Sequence, residues 1–355
     1  MEKRVLFVTL SLAGGGAERV VSILSSELAE QGRDVHLILY DRKNNEYPLS
    51  SKVKLQELSR PIGSNPLSRL FNRVIELRRI IKEITPDIVI PFLAKPTEHV
   101  FFATRGMRLK FIATVRNNPK LYPSNSGLRY VVNWITRHSD AIMLQTAEQA
   151  SYFKTESDRV FVVSNPVKQE MVDTQYQYKT SIHTIATFGR LNEQKNHELL
   201  INAFSVFCKR YPEFELNIWG EGEKKSVLEK LICDKKMSDK IHLCGNTSKV
   251  KDELLNTDIF VLSSNYEGLP NSLMEAMAVG VPVISTDCPT GPKDLITNKE
   301  NGILVKSNSV DELVNALKLL ASDYQLRKYI GQNAKKYMKN FTASEIARGF
   351  WRDIN

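Results

Sequence analysis

At 355 residues, 42% hydrophobic and 25% charged, the chain is long enough for two buried cores, and its composition excludes a disordered or fibrous protein. The formal net charge is +9, and no run approaches the roughly 20 apolar residues that a membrane-spanning helix needs. Four cysteines without a CxxC pair and six histidines without ligand spacing exclude a disulfide scaffold and a recognisable metal site, and fit a reducing cytosol.

The apolar run Val5–Leu10 is too short for a signal-peptide core and reads as a first buried strand. It runs into Gly14, Gly15 and Gly16, after which Val20, Val21, Leu24 and Leu28 mark an amphipathic helix. Further strands are predicted at Val35–Tyr40, Ile88–Phe92, Phe111–Val115, Ala141–Leu144 and Val160–Val163. Over 67–84, Leu67, Leu70, Phe71, Val74, Leu77, Ile81 and Ile84 predict the buried face of a helix, with Arg69, Arg73, Arg79 and Lys82 opposite. The charge is concentrated here: residues 60–137 carry 14 basic and 4 acidic side chains, and residues 1–170 carry 25 against 17. A solvated face, nucleic acid or an anionic membrane each suits such a surface. No helix-turn-helix, zinc-finger or ribonucleoprotein-type motif supports nucleic acid, which is not expected as a partner. The helix 67–84 and the segment Arg129–Arg137, with apolar Tyr130, Val131, Trp134 and Ile135, suit peripheral contact with an anionic membrane.

Residues 169–180 are polar and read as a linker. The alternation then restarts with Ile182–Phe188, a helix over 195–210, Glu215–Trp219, a helix over 223–236, Ile241–Leu243, Ile259–Leu262, Val281–Ser285 and Ile303–Val305. Strand–helix alternation on both sides of the break predicts two doubly wound α/β lobes, 1–168 and 181–338, with a cleft between them.

Ligands of such sheets sit beyond the carboxyl ends of the strands, and three motifs fall there. The turn Gly14-Gly15-Gly16-Ala17-Glu18-Arg19 could bring backbone amides to an anion at a helix N-terminus, or could simply shape the chain. It lacks the third glycine of a dinucleotide fingerprint, and Asp41 lies too far on for the ribose-binding acid. Arg190 and Lys195 follow strand 182–188, where a guanidinium and an ammonium suit a diphosphate, unless they are merely solvated. Glu267-Gly268-Leu269-Pro270-Asn271-Ser272 then leads into a helix, with Pro270 at its start and amides near Asn271 and Ser272 open to an anion. Glu275, in an apolar helix, needs a partner, either a ribose diol or a nearby basic side chain.

Glu267 and Glu275, seven residues apart between them, resemble the E-x7-E signature of family 4 of the retaining glycosyltransferases. The Gly-Gly-Ala-Glu-Arg turn, Gly189-Arg190-Leu191 with Lys195, Trp219-Gly220-Glu221-Gly222 and Gly280-Val281-Pro282-Val283 stand in that family's order across nearly the whole chain. The resemblance implies a GT-B fold, two Rossmann-like lobes with the active site in the cleft. It implies an acceptor-binding first lobe, a nucleotide-sugar-binding second lobe and a closing helix within 339–355 that crosses back onto the first lobe. By motif match, Arg190 and Lys195 would hold the donor diphosphate, Glu275 the ribose and Glu267 the donor sugar, acting in catalysis with Arg190 and Lys195. Gly268, Leu269, Pro270, Asn271 and Ser272 would line the donor, and Gly15 and Gly16 would face its diphosphate from the first lobe. Segment Asp287–Asp294 resembles members that build bacterial surface polysaccharides such as capsule and O-antigen, or lipid-linked oligosaccharides. Many members carry a histidine after the fourth strand of the first lobe; here Val115-Arg116-Asn117-Asn118 stands there, which makes Arg116 a possible sugar or acceptor contact.

The expectation is front-face transfer with retention of a hexose or N-acetylhexosamine from a nucleotide sugar, a UDP-sugar by family habit, to a saccharide or lipid-linked saccharide. Arg190 and Lys195 would stabilise the departing diphosphate, so no cofactor and no metal is expected. The place of action would be the cytoplasm or the inner face of its membrane. The alternatives are a GT-B UDP-sugar 2-epimerase, a non-catalytic nucleotide-sugar-binding subunit, and an NAD-dependent dehydrogenase, which the glycine spacing disfavours.

Overall fold

The computed structural model describes residues 3–13, 15–44, 46–59, 64–153 and 157–354. Gly14 and residues 60–63, which belong to the glycine turn and the basic stretch, lie outside the described residues, as does the side chain of Leu67. Among the described residues no helix is long and apolar enough to cross a membrane.

Two compact units divide the chain, residues 1–166 with 343–355, and residues 167–342. The first unit runs β1 (Val5–Thr9), α1 (Gly16–Glu30), β2 (Val35–Leu39), β3 (Lys54–Glu57), α2 (Pro66–Ile84), β4 (Ile88–Pro91), α3 (Ala94–Thr104), β5 (Lys110–Thr114), α4 (Ser126–Arg137), β6 (Ala141–Leu144), α5 (Ala147–Phe153) and β7 (Val160–Val162). Its parallel sheet has the order β3-β2-β1-β4-β5-β6-β7, with Val5 opposite both Val35 and Ile88. Strands buried on both faces read as unbroken apolar runs, and β1, Val-Leu-Phe-Val-Thr, is buried throughout. Phe7 and Leu37 face one core, and Leu6 and Ile38 the other.

The sequence reading missed β3: Lys-Leu-Gln-Glu is an edge strand, largely exposed, with no apolar pattern to betray it. The face of α2 is also rotated from expectation. Leu77, Ile81 and Ile84 are buried as expected, but Ile80 and Arg73 are buried with them and Phe71 is 66% exposed. Arg73 is accommodated by Glu76 at 2.9 Å, the Ser59 carbonyl at 2.9 Å and the ring of Tyr40.

The second unit continues with α6 (Gln169–Val172), β8 (Thr184–Phe188), α7 (His197–Phe207), β9 (Glu215–Trp219), α8 (Lys225–Asp234), β10 (Ile241–Gly245), α9 (Val250–Leu255), β11 (Ile259–Leu262), α10 (Asn271–Val279), β12 (Val283–Asp287), α11 (Pro292–Leu295), β13 (Ile303–Lys306), α12 (Val310–Ser322) and α13 (Tyr324–Met338). Its parallel sheet has the order β10-β9-β8-β11-β12-β13. Residues 169–180 are not a free linker. Met171 and Val172 are buried, the Tyr176 hydroxyl donates to the Thr257 carbonyl at 2.8 Å, and that of Tyr178 donates to the Gly280 carbonyl at 3.0 Å. Tyrosines in a polar-looking run carry the packing that pattern alone concealed.

The last helix, α14 (Ala343–Ile354), belongs to the first unit. Ala347, Phe350 and Ile354 enter the core that holds Phe7 and Leu24, and the rings of Phe350 and Phe7 lie 6.4 Å apart.

Candidate active site

In the second unit the chain leaves β8 for β9 on one side and returns through β11 on the other. The strand order therefore reverses between β8 and β11, which opens a crevice at their carboxyl ends. The loop after β8 carries Arg190 and Lys195, and the loop after β11 carries Ser263 to Pro270. Residues 72 positions apart meet there. The Lys195 Nζ donates to Glu267 Oε1 at 2.6 Å, the Ser264 hydroxyl donates to the same oxygen at 2.6 Å, and Gln194 Nε2 donates to Glu267 Oε2 at 3.2 Å. Both charges are largely shielded from water, which strengthens their attraction.

The loop after β12 locks Glu267 from behind. Glu267 N–H donates to the Pro289 carbonyl, and Thr290 returns its N–H and its hydroxyl to the Glu267 carbonyl. Gly291, at φ +95°, lies so close that a Cβ there would stand 1.7 Å from the Gly268 carbonyl, so only glycine fits. Gly268, Leu269 and Pro270 complete the turn, and Leu269 and Pro270 are buried.

Helix α10 then begins without a side-chain cap, because Pro270 stands at its N-cap. The hydroxyl of Ser272, in its first turn, is buried and makes no hydrogen bond. Uncapped amides, the positive end of the helix dipole and a spare hydroxyl together form an anion-binding set. Glu275 follows within the same helix and is buried.

Arg190 is exposed at the crevice. Its backbone is held from two sides: Leu191 N–H donates to the Glu221 carbonyl, and His197 Nε2 donates to the Arg190 carbonyl at 3.2 Å. Burial, aided by the charge of Lys195, holds His197 down at a pKa of about 4, so it is neutral and fixed as a donor. Gly220 lets the β9 loop close on the β8 loop: a Cβ there would stand 2.0 Å from the Gly189 carbonyl.

A pocket of about 210 Å³ opens beside Arg190, lined by Phe188, Trp219, Glu221, Asn246, Thr247 and Val250 among others. It is smaller than the roughly 300–1,000 Å³ of sites that enclose a whole drug-sized ligand. The Phe188 and Trp219 rings, near-parallel at 6.1 Å, form its aromatic wall. The sequence reading missed Asn246, Thr247 and His197. The first two lie beyond the carboxyl end of β10, a position that the strand pattern could have flagged.

The residues expected from the first unit lie at the carboxyl edge of its own sheet. Gly15 is the N-cap of α1 and Gly16 its first residue, and the Glu18 carboxylate folds against Gly15. Arg116, two residues past β5, donates to Asn165 Oδ1 at 3.0 Å and the Val163 carbonyl at 3.4 Å, and lies over the Phe92 ring. Its Nε is buried with no hydrogen bond, and burial lowers the guanidinium pKa to about 9. His99 and Tyr40 pair at 2.9 Å within this unit.

The chain matches a family model described as glycosyl transferases group 1 over residues 174–337 and one described as glycosyltransferase family 4 over residues 14–187. It is 32% identical over 275 residues to an uncharacterised glycosyltransferase of Methanocaldococcus jannaschii, covering 67% of this chain and 66% of that one. It is 26% identical over 350 residues, 97% of this chain and 96% of the other, to a Campylobacter jejuni protein. That relative is named as an α-1,4-N-acetyl-D-galactosaminyltransferase acting on a diNAcBac-PP-undecaprenol-linked saccharide. Among solved structures, Anabaena HepE in complex with UDP and glucose superposes with a TM-score of 0.83 at 16% identity, covering 99% of each chain. That likeness establishes the fold as GT-B, two Rossmann-like α/β units.

Proposed function

The chain belongs to family 4 of the glycosyltransferases, and on that footing we propose that it moves a hexose or N-acetylhexosamine from a UDP-sugar to a lipid-linked saccharide, with retention, in the building of a bacterial surface polysaccharide. One observation carries the reading. Arg190 and Lys195 follow β8, and the uncapped start of α10 with its unbonded Ser272 hydroxyl follows β11, the two strands between which the strand order of the second unit reverses.

In this reading the bond from the sugar's anomeric carbon to the diphosphate breaks, and a bond to an acceptor hydroxyl oxygen forms on the same face. The hydroxyl proton passes to the departing diphosphate. Arg190, Lys195, the α10 amides and Ser272 hold the charge that develops there, usually the largest contribution to such catalysis. Fixed cations take that role, so a metal ion is not part of the proposal. Glu267 orients Lys195 and meets the sugar, and Glu275 meets the ribose. The pocket against Trp219 takes the base, with Asn246 and Thr247 at its edge.

The Campylobacter relative supports the acceptor by its name, and a lipid-carried acceptor brings the enzyme to the inner face of the cytoplasmic membrane. Four free cysteines suit that reducing side. The test is turnover with a panel of UDP-sugars and lipid-linked saccharides in the presence of EDTA, with the anomeric configuration of the product read by proton NMR. An α-linked product with release of UDP supports the reading. UDP-sugar consumed without an acceptor, or an inverted product, overturns it.

A further inference from the structure

Two arginines, Arg73 and Arg327, are fully buried among the described residues, and the fold satisfies both. Arg73 has Glu76 and the Ser59 carbonyl. Arg327 donates to the carbonyls of Leu320, Ala321, Lys179 and Thr180 and has the charge of Asp258 nearby.

Arg116 is treated differently. Its Nε is buried without a hydrogen bond, and the rest of the guanidinium donates only to Asn165 Oδ1 at 3.0 Å and the Val163 carbonyl at 3.4 Å. Two of its five N–H groups are used and three are not. Among the described residues no carboxylate pairs with it, and burial alone, with no neighbouring charge, lowers its pKa.

The surroundings are polar but neutral. Gln145 Nε2 donates to the same Asn165 oxygen at 2.7 Å, and Gln145 N–H donates to Gln149 Oε1 at 2.8 Å. Gln149 Nε2 donates to the Asn117 carbonyl at 3.2 Å. These buried amides bond to one another and fix the guanidinium, yet none carries a counter-charge. Holding a cation there with no acid beside it costs stability that a neutral side chain would not.

The place of that cost points to a ligand. Arg116 stands two residues past β5, over the ring of Phe92, which is the residue after β4. The strand order of the first unit reverses between β1 and β4, so this is the carboxyl edge where doubly wound sheets bind ligands. Arg116 is half-buried, not sealed in the core. Its chemistry sets the class of anion. One flat guanidinium fork matches a flat, singly charged carboxylate edge to edge. A phosphate or diphosphate carries more charge, and no second cation acts beside Arg116 to share it.

We propose that Arg116 is a specificity residue that holds the carboxylate of an acidic sugar, a hexuronic acid, at the carboxyl edge of the first unit. That the carboxylate belongs to a sugar rests on the transferase reading above; that an anion binds at Arg116 does not.

The test is calorimetric titration of the full chain with methyl glucuronide and methyl galacturonide, each beside its neutral hexoside, in the absence of UDP. UDP-glucuronic and UDP-galacturonic acids, beside UDP-glucose and UDP-galactose, form a second arm. In one arm a uronate is expected to bind about 10-fold or more tightly than its neutral partner, as a charged hydrogen bond provides. Preference among the free glycosides places the acid on the acceptor, and preference among the UDP-sugars alone places it on the donor. Arg116→Gln should erase the preference, and Arg116→Lys, which keeps the charge but not the fork, should keep part of it. Without ligand, Arg116→Gln should unfold no more readily than the parent, because it removes an uncompensated charge. Arg116→His, neutral at pH 8, serves as a second variant should the glutamine variant misfold. Absence of any response to UDP in the parent would sink the transferase reading, while the free-glycoside arm still reads Arg116. Equal binding of uronates and hexosides in both arms, or a preference that survives these substitutions, would overturn the proposal. Inorganic diphosphate that binds more tightly than any uronate, and loses that affinity in Arg116→Gln, would also overturn it by assigning the seat to a phosphate.

Discussion

Lys195 Nζ stands 2.6 Å from Glu267 Oε1, so the two groups that read as separate diphosphate and sugar contacts in the sequence form one ion pair in the fold. Their side chains retain 16% and 7% exposure, and Ser264 and Gln194 add two more donors to the carboxylate, which leaves Oε2 able to accept another. Glu267 thus fixes the ammonium before any donor arrives, which spares the site the entropy of ordering a long side chain on binding.

Breaking this pair from one side leaves a shielded charge without its partner. Lys195→Met is expected to lower stability by about 3 kcal/mol in urea unfolding, and Glu267→Gln by a similar amount. The double variant should lose much less than the sum, because neither charge is then stranded. Additive losses would show that the pair is not coupled.

Arg190 bears on the ligand rather than the fold, since its guanidinium is exposed. Arg190→Ala should leave stability within about 0.5 kcal/mol. UDP affinity should fall by about 1.5–3 kcal/mol, the range of a charged hydrogen bond. Calorimetric titration with UDP measures the loss directly, and an unchanged Kd removes Arg190 from the site.

Ser272 separates a binding role from a structural one. Its hydroxyl is buried and bonds to nothing in the free chain, so Ser272→Ala removes no internal hydrogen bond. Stability should be unchanged or slightly improved, while UDP affinity falls by about 1 kcal/mol. A stability loss with intact UDP binding would give Ser272 a purely structural role.

Acid sensitivity follows from two histidines. Burial, with Lys195 beside it, holds His197 at a pKa of about 4, and burial, with Arg73 and Lys95 nearby, does the same for His99. The unfolded chain takes up protons near pH 6.5 that the folded chain refuses until about pH 4, so stability is full above 6.5 and falls through that window. Unfolding free energy measured from pH 7.5 to 4 should show this decline, with a shallower slope in His99→Phe.

Much of the fold was legible because strands of both sheets are buried on two faces and read as short apolar runs, β1 and β11 most plainly. The edge strand β3 was not, since a strand that faces water needs no apolar period. Arg73 defeated the helical pattern because Tyr40 and Ser59, from outside the helix, join its i,i+3 neighbour Glu76 in satisfying it. Arg190, Lys195 and Glu267 follow apolar runs in the sequence and stand beyond the ends of β8 and β11 in the fold. The Lys195–Glu267 pairing depends on which loops meet, and no local pattern encodes that, whereas Asn246 stands just beyond the end of β10, a place the strand pattern marks.

In the function proposed above, the crevice between β8 and β11 takes a uridine diphosphate. Thermal unfolding with UDP, GDP, ADP and NAD in metal-free buffer tests it most directly. At about 100 times its Kd, a ligand of the folded state alone adds roughly 2.7 kcal/mol of stability. A rise in Tm with UDP that Arg190→Ala removes, with no rise for the other three, is the expected result. A rise with NAD alone, or none with any nucleotide, would contradict the account.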